Sequence, residues 1–367
     1  MPKKLSLEDT IIRHQVLLEQ VKTHEARQFS SILRKTERAV RDILIDLDEP
    51  DISKLNRKKL NALLSKVKRA QQKLLLDNET EFFDSLEGIA DNEHKFETKA
   101  IKANVKKAMR NRVGDSTTKA AMGLALRDPL SATGELLQPF VRDWSRKQIT
   151  SVNNAIRQAW VNGNTTQQVI TAIRGTKANS FNDGLVATSK RQAEAVARTA
   201  IQHVSSKARE STWEANKDII EKYKYRAVLD HRTTTQCAGL DGQEFPVGQG
   251  PMPPIHIQCR STTIPVISKE FEFLSRGATR ASADGPVSAR TTYYGWLKRQ
   301  DKGFQEDVIG KERTKLLRSN KLSATEFAKL QLNKNFEPRT LAEMQKKEAA
   351  LFEELGVNVR NQNVNNN

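Results

Sequence analysis

The sequence predicts a mostly α-helical protein carrying a small α+β module, and three observations lead there. Glycine is absent from Met1 to Glu87, and Pro50 is the only proline between Pro2 and Pro129, so long helices can run unbroken. Apolar residues in that stretch recur at helical spacing. Between Gly239 and Pro254, by contrast, lie four glycines and four prolines, a composition that forces an irregular, tightly turning segment.

The elements follow in order. Ile12, Val16, Leu17, Val21, Phe29, Ile32, Leu33, Val40, Ile43, Leu44 and Leu47 mark a first helix, stopped at Glu49-Pro50-Asp51. Leu55, Leu60, Leu63, Leu64, Val67 and Leu74 mark a second, starting near Asp51. Over residues 1–114 these long helices are expected to pack as an antiparallel hairpin or to extend as a partly exposed arm. Toward its end this region is basic, and Lys95, Lys99, Lys102 and Lys106 fall on one helical face. Lys102, Lys106, Lys107 and Arg110 are the candidate phosphate contacts there.

A central unit is expected over 115–275. It begins with shorter helices broken at Asp128-Pro129, Gly134, Pro139, Gly163 and Gly175. Phe140, Trp144, Ile149, Val152, Ile156 and Trp160 form an amphipathic helix with its aromatics toward the core. Ser189 and Gln192 make a capping-box pattern that opens a helix running to about Asn216, with His203 beside its small-residue stripe as a surface or packing histidine. A β module comes next, over about 221–267. Tyr223–Leu229 alternates like a strand, and Arg260–Val266 resembles a second, at an edge because of Pro265. Asp241-Gly242 between Leu240 and Phe245 is a type I′ hairpin signal. Residues 276–290 are small and polar and read as a linker. A C-terminal helical region spans 291–356, with turns near Gly310, Asn320 and Pro338. The Asn-rich segment 357–367 is expected to be disordered.

Lys and Arg total 61 against 44 Asp and Glu, a formal charge of +17. That excess favours a polyanionic partner, nucleic acid first, with solubility as the alternative. A second basic cluster, Lys311, Arg313, Lys315, Arg318 and Lys321, is an equal candidate for phosphate contact. Apolar residues make up 37% and charged ones 29%, which implies thin cores and much exposed helix. No run of about 18 apolar residues exists to span a membrane, and the first residues offer no apolar stretch for a secretory signal. A soluble protein made inside a cell is expected.

Both cysteines and one histidine fall close together: Cys237, then Pro253-Pro254-Ile255-His256-Ile257-Gln258-Cys259-Arg260. The H-x-x-C spacing lets His256 and Cys259 reach one point from a turn. Cys237 could add a third soft ligand, and Asp230 or His231 a fourth. Tetrahedral zinc needs four donors at roughly 2.0–2.3 Å, so three candidates make an incomplete site. A structural zinc, a thiol-catalytic site and a loop locked by packing and hydrogen bonding all stay open. No H-E-x-x-H, no H-x-E followed by P-C-x-x-C, no P-loop, no nucleophile elbow and no paired carboxylates are present. Asp230, entering the turn Arg232-Thr233-Thr234-Thr235, can accept backbone N–H groups and cap the segment after it.

In order along the chain, Leu229-Asp230-x-Arg232-Thr233, Cys237, Leu240-Asp241-Gly242 and Pro253-Pro254-x-His256-x-x-Cys259-Arg260 resemble the signature of the phage Mu F-like family of head morphogenesis proteins. The similarity reaches upstream through Arg174–Gly184 and Ala197-Arg198-Thr199. Downstream it takes in Asp284-Gly285-Pro286, Trp296-Leu297-x-x-Gln300 and Ile309-Gly310, so it covers about residues 138–320. Thr234 stands where many relatives have a first cysteine, and Ser261 where they have the last, so a four-cysteine metal site does not carry over.

The resemblance implies a minor head protein of a virion, inside the capsid near the portal, and in the host cytoplasm during assembly. It implies portal protein, major capsid or scaffold protein, and double-stranded DNA bound without sequence preference as partners, no membrane, and no catalysis. Asp230, Arg232, Thr233, Cys237, Asp241, Gly242, Pro254, His256, Cys259 and Arg260 are its organising set. Two other classes compete: a metal-dependent nuclease, which predicts a carboxylate cluster around a metal, and a DNA-binding protein acting outside any particle.

Overall fold

The computed structural model describes residues 5–49, 51–267 and 278–359. Helix α1 (Leu7–Ile45) opens on a capping box, in which the Ser6 hydroxyl accepts from Asp9 N–H and the Asp9 carboxylate accepts from Ser6 N–H. A single 3-10 turn, Ile52–Lys54, leads into α2 (Arg57–Asn104), capped by Asn56. Contacts between His14 and Glu93 and between Phe29 and Asn78 show that the two helices run antiparallel. They form the expected hairpin. Their shared face is not an arm, because it packs into the central unit.

Helices α3 (Thr118–Arg127), α4 (Leu137–Asn162) and α5 (Thr166–Arg174) lead to α6 (Leu185–Glu214). Pro139 lies inside the first turn of α4 instead of breaking a helix; an N–H there has no intrahelical acceptor to lose. Helix α6 begins before the expected cap, at Gly184. Ser189 sits in its interior and donates to Gln148 of α4, so the Ser-x-x-Gln pattern serves an interhelical contact. Leu18, Phe29, Leu33, Phe82, Leu86, Trp144, Ile201 and Val204 fill one core between α1, α2, α4 and α6. The alanines of α6 (Ala193, Ala197, Ala200, Ala208) are fully buried and let its neighbours approach closely. His203 is a packing histidine, bonded through Nε2 to the carbonyl of Ala125 at 2.9 Å.

This helical body has a polar centre. Arg209 of α6, fully buried, donates to Glu93 of α2 at 3.1 Å, to Gln15 of α1 and to Thr262. Buried Lys22 of α1 bonds Glu19 and Gln202. Every charge of this kind must find a partner or the fold loses several kcal/mol, and these partners come from four separate segments.

From α6 the chain enters β1 (Ile220–Arg226), then α7 (Thr235–Leu240), β2 (Glu244–Pro246) and β3 (Thr262–Ile267). The antiparallel sheet has the order β2-β1-β3, with Lys224 opposite Glu244 on one side and Ile264 on the other. Pro265 lies on an outer strand, as expected. Asp241-Gly242 does not turn a hairpin: Leu240 ends α7, and the pair joins that helix to β2. Gly242 has φ +86°, its N–H donates to the Tyr225 carbonyl, and a Cβ there would meet Thr292 Cγ2 at 3.1 Å.

The linker expected over 276–290 is instead, from 278 onward, a hairpin of β4 (Thr279–Ser282) and β5 (Gly285–Ser288). Its small side chains hide the strand pattern, and its position is held from outside, by Arg280 and by a bridge from Ser282 to Leu229. Residues 276 and 277 lie outside the described residues. Helices α8 (Tyr293–Leu297), α9 (Lys302–Ile309), α10 (Lys311–Arg318), α11 (Ala324–Gln331), α12 (Leu341–Lys347) and α13 (Ala349–Glu354) complete the fold around Tyr293, Tyr294, Trp296, Phe327, Met344 and Phe352. Of the segment expected to be disordered, Val357 is buried in this cluster and Asn358 N–H donates to Glu312; residues 360–367 lie outside the described residues. No helix among the described residues is long and apolar enough to cross a membrane.

Candidate metal centre

Helix α7 starts at Thr234, whose hydroxyl accepts from Cys237 N–H. This cap sets Cys237 in the first turn, pointing at the loop after Pro254. That loop is bent at Gln258, a non-glycine residue at φ +59°, and such backbone strain persists only where surroundings enforce it. Here the enforcement comes from the helical body: Gln258 N–H donates to Thr199 of α6 at 2.9 Å, and Lys22 of α1 reaches the Cys259 carbonyl at 3.5 Å. Pro254 and Ile255 are buried beneath it.

The result brings the three soft donors together. Cys237 Sγ lies 3.2 Å from His256 Nε2 and 3.8 Å from Cys259 Sγ, and among the described residues this is the trio whose donor atoms all fall within 4.8 Å of one another. His256 Nδ1 bonds the Ile257 carbonyl at 2.9 Å. That bond holds the ring with Nε2 facing the sulfurs. The Tyr225 hydroxyl lies 3.3 Å from Cys237 Sγ and 3.9 Å from Cys259 Sγ. Burial pushes the Tyr225 phenol well up, so it faces the sulfurs as a neutral donor. Burial likewise pushes the Cys237 thiol up. For Cys259 burial acts in the same direction, but hydrogen bonds from Cys237 and His256 outweigh it and hold this thiol low.

Asp230 and His231, the candidates for a fourth donor, stand apart from the trio. Asp230 takes a two-pronged bond from Arg260 at 2.6 and 2.8 Å and accepts from Arg232 N–H. Burial opposes ionisation, yet the Arg260 guanidinium keeps the Asp230 carboxyl below its usual range. His231 is exposed. Thr233 Oγ1 donates to the Val228 carbonyl, closing the turn, while the Arg232 side chain projects outward. Asp230 and Arg260 therefore lock the two ends of the knob together.

Asp241 does more than its turn signal indicates. Its fully buried carboxylate pairs with Arg280 at 2.8 Å and accepts from Ala227 N–H and Tyr293 N–H, tying β1, the β4–β5 hairpin and α8 to one point. Asp284 joins the two downstream signature segments: its carboxylate accepts from Trp296 Nε1 at 2.9 Å and Gln300 Nε2 at 2.8 Å. Tyr225, Lys22 and Arg280 are the site residues that sequence reasoning passes over. Only Tyr225 has a local signal, the alternation of Tyr223 and Tyr225 along β1.

The basic candidates divide. Helix α2 ends at Asn104, so Lys106 leaves the helical stripe. Lys95 pairs with Asp91 and Lys102 with Asp115. Lys107 and Arg110, on a short 3-10 helix (Lys107–Arg112), are exposed. In the second cluster Arg313 is held by Gln331 and the Arg339 carbonyl, Lys315 by Glu312 and the Gly356 carbonyl, Arg318 by Gln305 and Lys321 by Glu354. These four charges link the C-terminal helices, while Lys311 is exposed.

Residues 150–264 match the family model described as Phage Mu protein F like protein. The match spans the second half of α4, α5, α6 and most of the three-stranded sheet with its cysteine–histidine loop. This segment is therefore similar to the Mu F-like family. No curated protein and no solved structure matches the chain.

Proposed function

We propose that the chain is a minor head protein that associates with the phage portal and with packaged DNA, in capsid assembly, DNA delivery or both. The observation that carries this reading is the Mu F-like domain over 150–264, set in a chain of formal charge +17. Packaged DNA is dense phosphate, and such a charge gives an attraction without sequence preference that weakens steeply with salt. Lys107 and Arg110 supply exposed cations for it, next to Lys106. Portal, major capsid or scaffold protein requires a different surface. The outer face of α1 offers one, since Val16, Leu17 and Val21 stay 53%, 56% and 40% exposed there, an apolar strip on an otherwise charged helix.

The role asks nothing catalytic of the chain. A nuclease would set carboxylates around a metal, whereas the carboxylate beside the cysteine–histidine loop, Asp230, is engaged by Arg260.

Pull-down of portal protein by the tagged chain at low salt tests the reading, together with mass spectrometry of purified particles. Capture of portal and a few copies per particle are expected. Leu17→Asp with Val21→Asp should abolish capture while leaving the circular dichroism unchanged. Retention on DNA with no capture of portal would favour a DNA-binding protein acting outside the particle.

A further inference from the structure

Two spacings within the trio lie close to those of tetrahedral coordination. Two thiolates bound to one zinc at about 2.3 Å stand about 3.8 Å apart across a tetrahedral angle, and the Cys237 and Cys259 sulfurs are 3.8 Å apart. A sulfur and an imidazole nitrogen on the same ion stand roughly 3.5 Å apart, and Cys237 Sγ and His256 Nε2 are 3.2 Å apart. The donors therefore need only slight shifts to accept an ion. Three further features suit a cation. The His256 ring is oriented by its Nδ1 contact with the Ile257 carbonyl, as ligating histidines commonly are. The Tyr225 hydroxyl can donate to thiolate sulfur. The loop that carries two of the donors is already held in a strained bend by Thr199.

We propose that Cys237, His256 and Cys259 hold one thiophilic d10 cation, zinc by preference, as a latch fastening α7 to the loop that lies against the helical body. The ion binds both sulfurs as thiolates, any proton a thiol still carries passing to solvent, and a water completes the coordination on the His256 side. Its position makes it structural. Cys237 belongs to α7, while the loop of His256 and Cys259 rests on Thr199 of α6 and Lys22 of α1, so one ion ties α7 to the loop that lies against the helical body. The latch stands independently of the role in head assembly.

The full-length chain, purified under reducing conditions and stripped with a chelator, is titrated with cobalt(II) and then with zinc. One equivalent of cobalt should give the intense visible bands of tetrahedral coordination with a thiolate charge-transfer band, and zinc should bleach them. Cys237→Ser and Cys259→Ser should each lose the charge-transfer band, and Tyr225→Phe should weaken cobalt binding about tenfold at unchanged stoichiometry. Should the cysteine variants fail to fold, the wild-type chain suffices: the chelator should lower its Tm and expose the 253–260 loop to protease, and zinc should reverse both. A folded wild-type chain without tetrahedral cobalt bands would overturn the proposal. So would a Cys237–Cys259 disulfide found by mass spectrometry of freshly purified protein, or a Tm indifferent to chelator and zinc.

Discussion

Arg280 and Asp241, 39 residues apart, meet as an ion pair at 2.8 Å with both side chains almost fully buried. Arg280 also donates to the carbonyls of Ala227 and Thr291, and Asp241 accepts from the backbone of Ala227 and Tyr293. The pair substitutes for apolar packing where the hairpin, made of small residues, has little to bury. Removing one partner leaves the other charged and unpaired, at a cost of about 3–5 kcal/mol. Asp241→Ala should therefore lower stability by about that much in urea unfolding. The double variant Asp241→Leu with Arg280→Met should cost clearly less than the sum of the single losses. Additive losses would mean that the two side chains act separately.

His203 makes stability depend on pH. Burial, opposed only in part by its bond to the Ala125 carbonyl, pushes the ring down from 6.5 to about 4. Between those values the unfolded chain holds the proton and the folded chain does not. Stability is thus complete above pH 6.5 and falls as pH drops toward 4, by at most about 3 kcal/mol from this group. His203→Gln keeps a donor for Ala125 and removes the titration. Its stability curve between pH 4 and 6.5 should be flatter than that of the wild type, and parallel curves would refute the assignment.

Lys107 and Arg110 are exposed, whereas Arg313 is held by Gln331 and Arg339. Each cation removed from a DNA phosphate should reduce the slope of log affinity against log salt by about 0.9. Lys107→Gln with Arg110→Gln should shift that slope by about 2 on duplex DNA, measured by fluorescence anisotropy. Arg313→Gln should leave the slope alone and lower the melting temperature. The opposite pattern would move DNA binding to the C-terminal helices.

Ser261 is buried beside Cys237 and Tyr225. Ser261→Cys adds a third thiol, and so a fourth soft donor, beside the trio and should slow chelator removal of zinc from the chain about tenfold or more. Thr234→Cys, by contrast, gives up the hydroxyl that caps α7 and should cost about 1 kcal/mol of stability. Equal zinc loss rates for Ser261→Cys and wild type would place residue 261 outside reach of the ion.

Much of the architecture is legible because its causes are local. The scarcity of glycine and proline before residue 88 and the spacing of Phe29, Leu33, Leu63 and Val67 are properties of consecutive residues, whereas Val16, Leu17 and Val21, read as part of the same stripe, are exposed. The H-x-x-C loop at His256 is equally local, where a short intervening stretch brings two donors to one point. Errors arise where a local pattern serves a distant partner. The Ser189 pattern imitates a cap and contacts Gln148. Asp241-Gly242 imitates a hairpin turn and anchors Arg280. Residues 278–290 look like a linker because the bonds that hold them belong to Leu229, Asp241 and Asp9.

The amino-acid order alone determined that this protein is built of long helices with a turn-rich β insert, and that His256 and Cys259 share one short loop, since periodicity and short spacing act through neighbouring bonds; bringing Cys237 to them took the tertiary fold. Tertiary structure alone decided which charges are free and which are consumed. A lysine or arginine reads the same in the sequence whether it faces water or a carboxylate, and only the packing of α2, α6 and the sheet brings Arg209 to Glu93, Arg260 to Asp230 and Arg280 to Asp241.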